Sequence, residues 1–79
     1  MPYIKEETRK RLFNFPVPET PGELNYILTS FIIDYHTDHP GYQGINDVIG
    51  ALEACKLEFY RRVVVPYEDQ KIKENGDVY

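Results

Sequence analysis

The strongest constraint on the fold is a helix start signal in the four residues TPGE, positions 20–23. Thr20 suits the N-cap, Pro21 suits the first helical position, and Glu23 stands where a capping box needs an acid. The apolar residues that follow recur at the i, i+3, i+4, i+7 spacing of a helix: Leu24, Ile27, Leu28, Phe31 and Tyr35. The sequence therefore predicts a helix over about residues 21–36.

A second and longer apolar period follows the segment HTDHPGYQG, whose proline and glycines predict a loop over residues 37–44. Its stripe consists of Ile45, Val48, Ile49, Leu52, Phe59 and Val63. This spacing predicts a helix over about residues 45–65. Pro66 is expected to end or kink that helix, because its ring clashes with the carbonyl four residues earlier and it has no N–H to donate.

Short helices are expected at both ends of the chain. The first covers about residues 4–13 and is stopped by a proline-rich link over residues 14–20. A terminal helix over about residues 66–75 is indicated by Pro66 at its first position, by Glu68 in its first turn and by Gly76 just past its end. Residues 1–79 are thus expected to form one helical domain.

These elements predict an all-α fold, an antiparallel helical hairpin with short flanking N- and C-terminal helices. A domain of 79 residues has a small core. Cys55 is the only cysteine, so no intramolecular disulfide can reinforce that core. Both main helices also carry apolar residues outside their stripes, such as Tyr26 in the first and Leu57 in the second. We therefore expect a homo-oligomer, with a dimer as the commonest case.

The charge balance excludes some partners. A net charge of −4 and a pI near 5.0 argue against general nucleic-acid binding, which needs a basic face. The start MPYIKEETRK lacks the apolar core of a signal peptide, and the longest apolar runs are too short to span a bilayer. The sequence therefore predicts a soluble, cytoplasmic protein without membrane contact.

Side chains that could bind an anion or stack on a ring lie on both sides of Pro66. Arg61 and Arg62 suit bidentate recognition of phosphate or carboxylate, and Tyr60 and Tyr67 flank them with rings that can stack on a base or a sugar. The alternative is a solvated helix end, in which Glu58 pairs with the arginines at i, i+3 and i, i+4 spacing.

Lys56 falls at the centre of the stripe formed by Leu52, Phe59 and Val63. An ammonium there must reach water, find a carboxylate or bind a ligand, because an unpaired buried charge is costly. Glu53 at i, i+3 and Asp34 on the other helix are possible carboxylate partners. The functional alternative is an anion-binding lysine at a subunit interface.

Catalytic and metal chemistry are not expected. The segment DYHTDH contains Asp34, His36, Asp38 and His39, yet no known ligand spacing fits them, so no metal and no cofactor are predicted. No set of nucleophile, base and orienting group can be assembled, so the protein is predicted not to be an enzyme. Cys55 has no histidine at helical spacing and is expected to be a small buried apolar side chain rather than a nucleophile.

Four segments carry a resemblance to a known group of proteins. They are MPYIKEETRKRL, GELNY, INDVIGALEACKLEFYRRVV and PYEDQKIKENGDVY. They resemble a family of small bacteriophage and prophage proteins without an assigned activity, whose members commonly end in a YED-K-ENGDVY pattern. The resemblance covers most of the chain and leaves residues 14–19 and 37–44 as its variable parts.

A looser similarity concerns architecture. The expected fold is similar to that of small phage proteins that sequester nucleotide immune signals between the subunits of a helical oligomer, although their motifs are not present. By that analogy the protein is predicted to bind a phosphate-bearing nucleotide without turning it over. The predicted ligand-binding residues are Arg61, Arg62, Lys56, Tyr60, Tyr67, Asn25 and Tyr26. The alternative prediction is an oligomeric interaction module that binds a host or phage protein through tyrosine and arginine hot spots.

Overall fold

The computed structural model describes residues 2–12 and 14–79, and over these residues the protein is all-helical, as predicted. Its elements are α1 (Glu6–Leu12), α2 (Pro21–Asp38), α3 (Tyr42–Phe59), a π-helical segment (Tyr60–Val64) and α4 (Val65–Asn75). Met1 and Phe13 lie outside the described residues, and so does the predicted end of the first helix at residue 13.

The start of α2 confirms the predicted capping signal. The Thr20 hydroxyl oxygen accepts a hydrogen bond from the Glu23 backbone N–H at 3.1 Å. The Glu23 carboxylate in turn accepts from the backbone N–H of Glu19 at 2.8 Å, and Pro21 occupies the first helical position. Backbone N–H groups at a helix start have no partner within the helix, so these side chains fix where α2 begins.

The connection between α2 and α3 is shorter than predicted. Residues 39–41 separate the two helices, whereas the loop was expected over residues 37–44. Gly41 has a φ of 93°, which glycine adopts without strain. Gly44 lies inside the first turn of α3, and this position requires glycine because the His39 carbonyl group approaches its Cα closely. A Cβ at Gly44 would overlap the His39 carbonyl oxygen and lie 2.7 Å from the carbonyl carbon.

Pro66 does not interrupt the helical backbone. The segment before it is π-helical, and the Val65 N–H bonds to the Tyr60 carbonyl, five residues back. The backbone angles of Phe59, Val64 and Val65 are all right-handed helical. The wider π turn relieves the clash that a proline ring causes in an α-helix. The helix was expected to end or kink near residue 65. It instead changes from a π turn to an α-helix there, and α4 follows the π-helical segment without a gap.

Two sets of contacts link the elements. The α2 and α3 helices contact each other, and Ile27, Ile32 and Val48 are half-buried. The ring of Phe15 in the proline-rich link lies edge-on to the Phe31 ring, with centroids 5.5 Å apart. Within the described residues, α1 contacts no other helix and α4 contacts only the π-helical segment.

The fold leaves its apolar side chains accessible. Among residues 2–12 and 14–79, no hydrophobic side chain is buried, and only Gly44 is buried at all. The long axis measures 49 Å, close to the about 51 Å expected for the 34 residues from Tyr42 to Asn75 as one helix. None of the helices in the described part of the chain is long and apolar enough to cross a bilayer.

Candidate functional site

The π-helical segment presents the two arginines that sequence reasoning singled out. Arg61 and Arg62 are its second and third residues, and their side chains are 67% and 63% exposed. Tyr60 precedes them, and Tyr67 follows in the first turn of α4. We call these four residues the arginine–tyrosine cluster. The structure therefore places four of the seven predicted binding residues within about two helical turns.

Glu58, in the last turn of α3, pairs with both arginines of the cluster. Its carboxylate accepts a hydrogen bond from the Arg61 guanidinium, and the Arg62 Nε lies 3.4 Å from the same oxygen. The Glu58 side chain is only 21% exposed. Both predicted pairings at i, i+3 and i, i+4 are thus present. An anionic ligand would have to compete with Glu58 for Arg61.

Tyr3 is a third partner of Glu58. A hydrogen bond from the Tyr3 hydroxyl, followed by one from Arg61, lowers the pKa of the Glu58 carboxyl below its usual value. The Arg61 pKa is raised in turn, chiefly by its hydrogen bond to Glu58. The Tyr3 hydroxyl therefore lies close enough to the end of α3 to influence the Glu58 carboxylate. Sequence reasoning missed this contact because no local spacing connects positions 3 and 58.

Lys56 lies one turn before the cluster and is not buried. Its Nζ is 3.7 Å from the Glu53 carboxylate, and its side chain is 70% exposed. This is the i, i+3 pairing that the sequence offered as one alternative. Because the ammonium reaches water, its position in the stripe creates no uncompensated buried charge.

Asn25 and Tyr26 belong to α2, and their neighbours lie outside the arginine–tyrosine cluster. The Asn25 side-chain oxygen accepts a hydrogen bond from the Thr29 hydroxyl at 3.0 Å. Tyr26 is 73% exposed and lines a shallow groove with Pro16 and Pro18 of the link. Tyr60, by contrast, lines a groove with the residues that end the chain. These two tyrosines therefore line separate grooves.

The Tyr67 ring has the Lys71 ammonium beside it. The Lys71 Nζ lies 5.5 Å from the centre of the Tyr67 ring, and it also lies 3.2 Å from a carboxylate oxygen of Glu74. An exposed contact between a cation and a ring contributes only about 0.5–1 kcal/mol. The ring is 60% exposed and remains accessible to a partner.

A second candidate surface lies between α2 and α3, and we call it the α2–α3 groove. It has a volume of about 390 Å³. Its walls are Leu28, Phe31, Ile32 and Tyr35 of α2 with Asp47, Val48, Ala51, Leu52 and Cys55 of α3. Most of this lining is aliphatic or aromatic. Sequence reasoning identified the separate stripes but did not predict that they would form an open groove.

Polar bonds close one end of the α2–α3 groove. The Tyr35 hydroxyl donates to one Asp47 carboxylate oxygen at 2.7 Å, and the Gln43 amide donates to the other at 2.7 Å. The bond from Tyr35, followed by that from Gln43, lowers the pKa of Asp47, while the pKa of Tyr35 is raised by the same bond. The i, i+4 spacing of Gln43 and Asp47 was visible in the sequence, but their partner Tyr35 was not.

The histidines and acids of DYHTDH do not converge. His39 stacks on the Tyr35 ring at 4.1 Å between centroids, and its Nδ1 lies 3.0 Å from the Tyr35 carbonyl oxygen. In the described ranges 2–12 and 14–79, no three His, Cys, Asp or Glu side chains are grouped as metal ligands would be.

Neither curated proteins nor solved structures give a match to this chain. A family model does match, and it spans almost the whole sequence, including the capping signal of α2, both walls of the α2–α3 groove and the arginine–tyrosine cluster. Since that match covers residues 1–78, the chain belongs to the family described as Domain of unknown function (DUF6899).

Proposed function

We propose that this protein is a non-enzymatic interaction module. In this proposal α2 and α3 form an antiparallel hairpin, and copies of the hairpin associate into a homo-oligomer. The oligomer binds a host or phage protein in the cytoplasm of the host cell. The observation that carries the proposal is that no apolar side chain of the described residues is buried in the single chain.

The total surface supports association. The chain exposes 7349 Å², whereas a compact monomer of its mass exposes about 5,000 Å². The excess is about 2,400 Å² per chain, on the scale that obligate dimers bury. The radius of gyration is 16.5 Å, against about 11.6 Å for a compact domain of this length. A second chain would supply the missing burial.

The arginine–tyrosine cluster is the surface proposed for the partner protein. Tyr60 and Tyr67 are 52% and 60% exposed, and both arginines project from the same two turns. Tyrosine and arginine are enriched among the residues that dominate binding energy at protein interfaces. Since α4 contacts no helix except the π-helical segment in the described chain, a partner could approach the cluster without displacing α2.

The test has two parts. Sedimentation analysis of the purified chain should give at least twice the monomer mass, and a monomer at 100 µM (on the order of the highest working concentration) would contradict the proposal. The oligomer should then capture one host or phage protein from a lysate of infected cells. Tyr67→Ala should abolish capture without changing the oligomer. Lys73→Ala, a change on the same helix outside the cluster, serves as the matched control.

Nucleotide sequestration, the first prediction from the sequence, is the second candidate function. The observation that favours it is the exposure of two guanidinium groups and two aromatic rings within two turns. Cyclic and ADP-ribose-type nucleotides should then raise the melting temperature, with a shift that grows with ligand concentration. Arg62→Ala should abolish the shift and Lys73→Ala should not. A panel with no shift would remove this candidate and leave the interaction module.

A further inference from the structure

We propose that the α2–α3 groove is the subunit interface, and that its occupant is the corresponding face of a second copy of this chain. This inference rests on the proposed homo-oligomer, and it specifies which surface forms the oligomer.

The walls of the groove are apolar and open. Leu28, Phe31 and Leu52 are exposed by 42%, 50% and 38% although they belong to the main stripes of their helices. Covering apolar area stabilises a complex by about 25 cal/mol per Å². Side chains of the same kind from a second chain would therefore stabilise the pair.

The charge of the groove suits a second copy. No lysine or arginine is found among the described residues that line it, and its one acid, Asp47, has both oxygens engaged by Tyr35 and Gln43. Each chain carries a net charge of −4, so two copies repel each other, and a neutral contact surface keeps that repulsion smallest because it brings no like charges together at close range. The groove provides such a surface, and contact there leaves no carboxylate unpaired.

Area also favours this surface as the centre of the interface. A stable interface buries about 800 Å² on each partner, and the excess surface of this chain is about 2,400 Å². A second apolar groove shares Ile32 and Val48 with the first and is otherwise lined by Ile33, His36, Ile45 and Ile49. Its volume is about 210 Å³, against about 390 Å³ for the α2–α3 groove. The larger groove can admit the larger side chains.

A pair of matched substitutions tests the assignment. Leu52→Glu places a charge in the α2–α3 groove, whereas Ile49→Glu places the same charge in the smaller groove, less than one helical turn away. Leu52→Glu should raise the dimer dissociation constant by a factor of about 100, because it puts an unpaired carboxylate at the centre of the interface. Ile49→Glu should change it by less than a factor of about 3. Sedimentation equilibrium gives both constants.

Cys55 supplies a measurement on the unaltered chain. It lines the α2–α3 groove, is exposed in the single chain and is the only cysteine. Its alkylation by iodoacetamide should therefore be at least about ten times slower in the oligomer than in chains diluted until they dissociate. This comparison stays valid even if Leu52→Glu fails to fold.

The outcomes separate the inference from the proposed function. A wild-type chain that stays monomeric overturns both. An oligomer that survives Leu52→Glu, or in which Cys55 is alkylated at the same rate as in dissociated chains, overturns the groove assignment and leaves the homo-oligomer standing. Dissociation by Ile49→Glu but not by Leu52→Glu would move the interface to the smaller groove and would contradict the inference.

Discussion

The α2–α3 pair and the C-terminal arm, which consists of the π-helical segment and α4, are stabilised in different ways. In the pair, the Tyr35 hydroxyl bonds across to Asp47 of the other helix, beside local bonds such as that from Gln43 to Asp47. In the arm, the bonds join residues three or four positions apart, as between Lys71 and Glu74 or Gln70 and Glu74. Local bonds of this kind contribute only about 0.2–0.5 kcal/mol each. The pair is thus held partly by contact between two helices, whereas the arm is an extension that displays side chains.

The turn between α2 and α3 offers the most severe test of the pair. Gly44→Ala puts a Cβ against the His39 carbonyl group, which belongs to the backbone and cannot rotate away. We expect a loss of about 3 kcal/mol in the free energy of unfolding, measured by thermal melting at fixed concentration. Gly50→Ala is the matched control, because nothing lies within 4 Å of its Cβ position. It should stabilise α3 by up to about 1 kcal/mol.

Pro66 allows an equivalent test of the arm. Pro66→Ala restores an N–H donor and removes the ring clash, so the π turn can close into an α turn. We expect a gain of about 2 kcal/mol in helix stability, below the full difference between proline and alanine because the π turn already relieves part of the clash. The increase should appear in the far-ultraviolet circular dichroism.

Pro21→Ala is the control for that change. Pro21 stands at the first position of α2, where a proline costs the helix no hydrogen bond. Its replacement should therefore leave the melting temperature almost unchanged. Equal effects of the two substitutions would contradict the view that the arm alone is strained by its proline.

Removing the N-cap of α2 tests how much the stability of the α2–α3 pair depends on the Thr20 side chain. Thr20→Ala removes the oxygen that accepts from the Glu23 N–H and should lower the free energy of unfolding by about 1 kcal/mol. Thr29→Ala removes a hydroxyl that bonds only to the Asn25 side chain on the same exposed face, and it should have no comparable effect. Amide hydrogen exchange in the first turn of α2 would localise the change.

The smallest predicted effect is a pH dependence within the pair. The folded pKa of Asp47 is lowered below its usual value of 3.8, so the stabilisation from its bonds is present above that pH and is lost as the pH falls through the folded pKa. Tyr35→Phe removes the main cause of the shift. The difference in melting temperature between wild type and Tyr35→Phe should be constant from pH 5 to 7, within about 1 °C, and should shrink below pH 3.8. An unchanged difference in acid would contradict this assignment.

The elements could be predicted from the sequence because their signals are local. Thr20, Pro21 and Glu23 lie within one turn, and the cap they form is present in the structure. The site was only partly predictable because its bonds join distant positions. Arg61 and Arg62 were recognised with Glu58 from helical spacing, whereas the Tyr3 contact needed the fold. The π turn before Pro66 also had no sequence signal, since a proline is expected to break a helix.

The π-helical segment has a consequence for any structure built along α3. Its hydrogen bond from Val65 to Tyr60 encloses one residue more than an α-helical turn, which rotates everything after it by about 100°. Without this insertion Ile72 would lie opposite the stripe that runs from Ile45 to Phe59, so the rotation turns it to about 90° from the stripe, while Tyr67 stays at the edge of the stripe. A neighbouring helix that follows this stripe could therefore still meet the Tyr67 side chain in the first turn of α4, but it would pass to one side of Ile72.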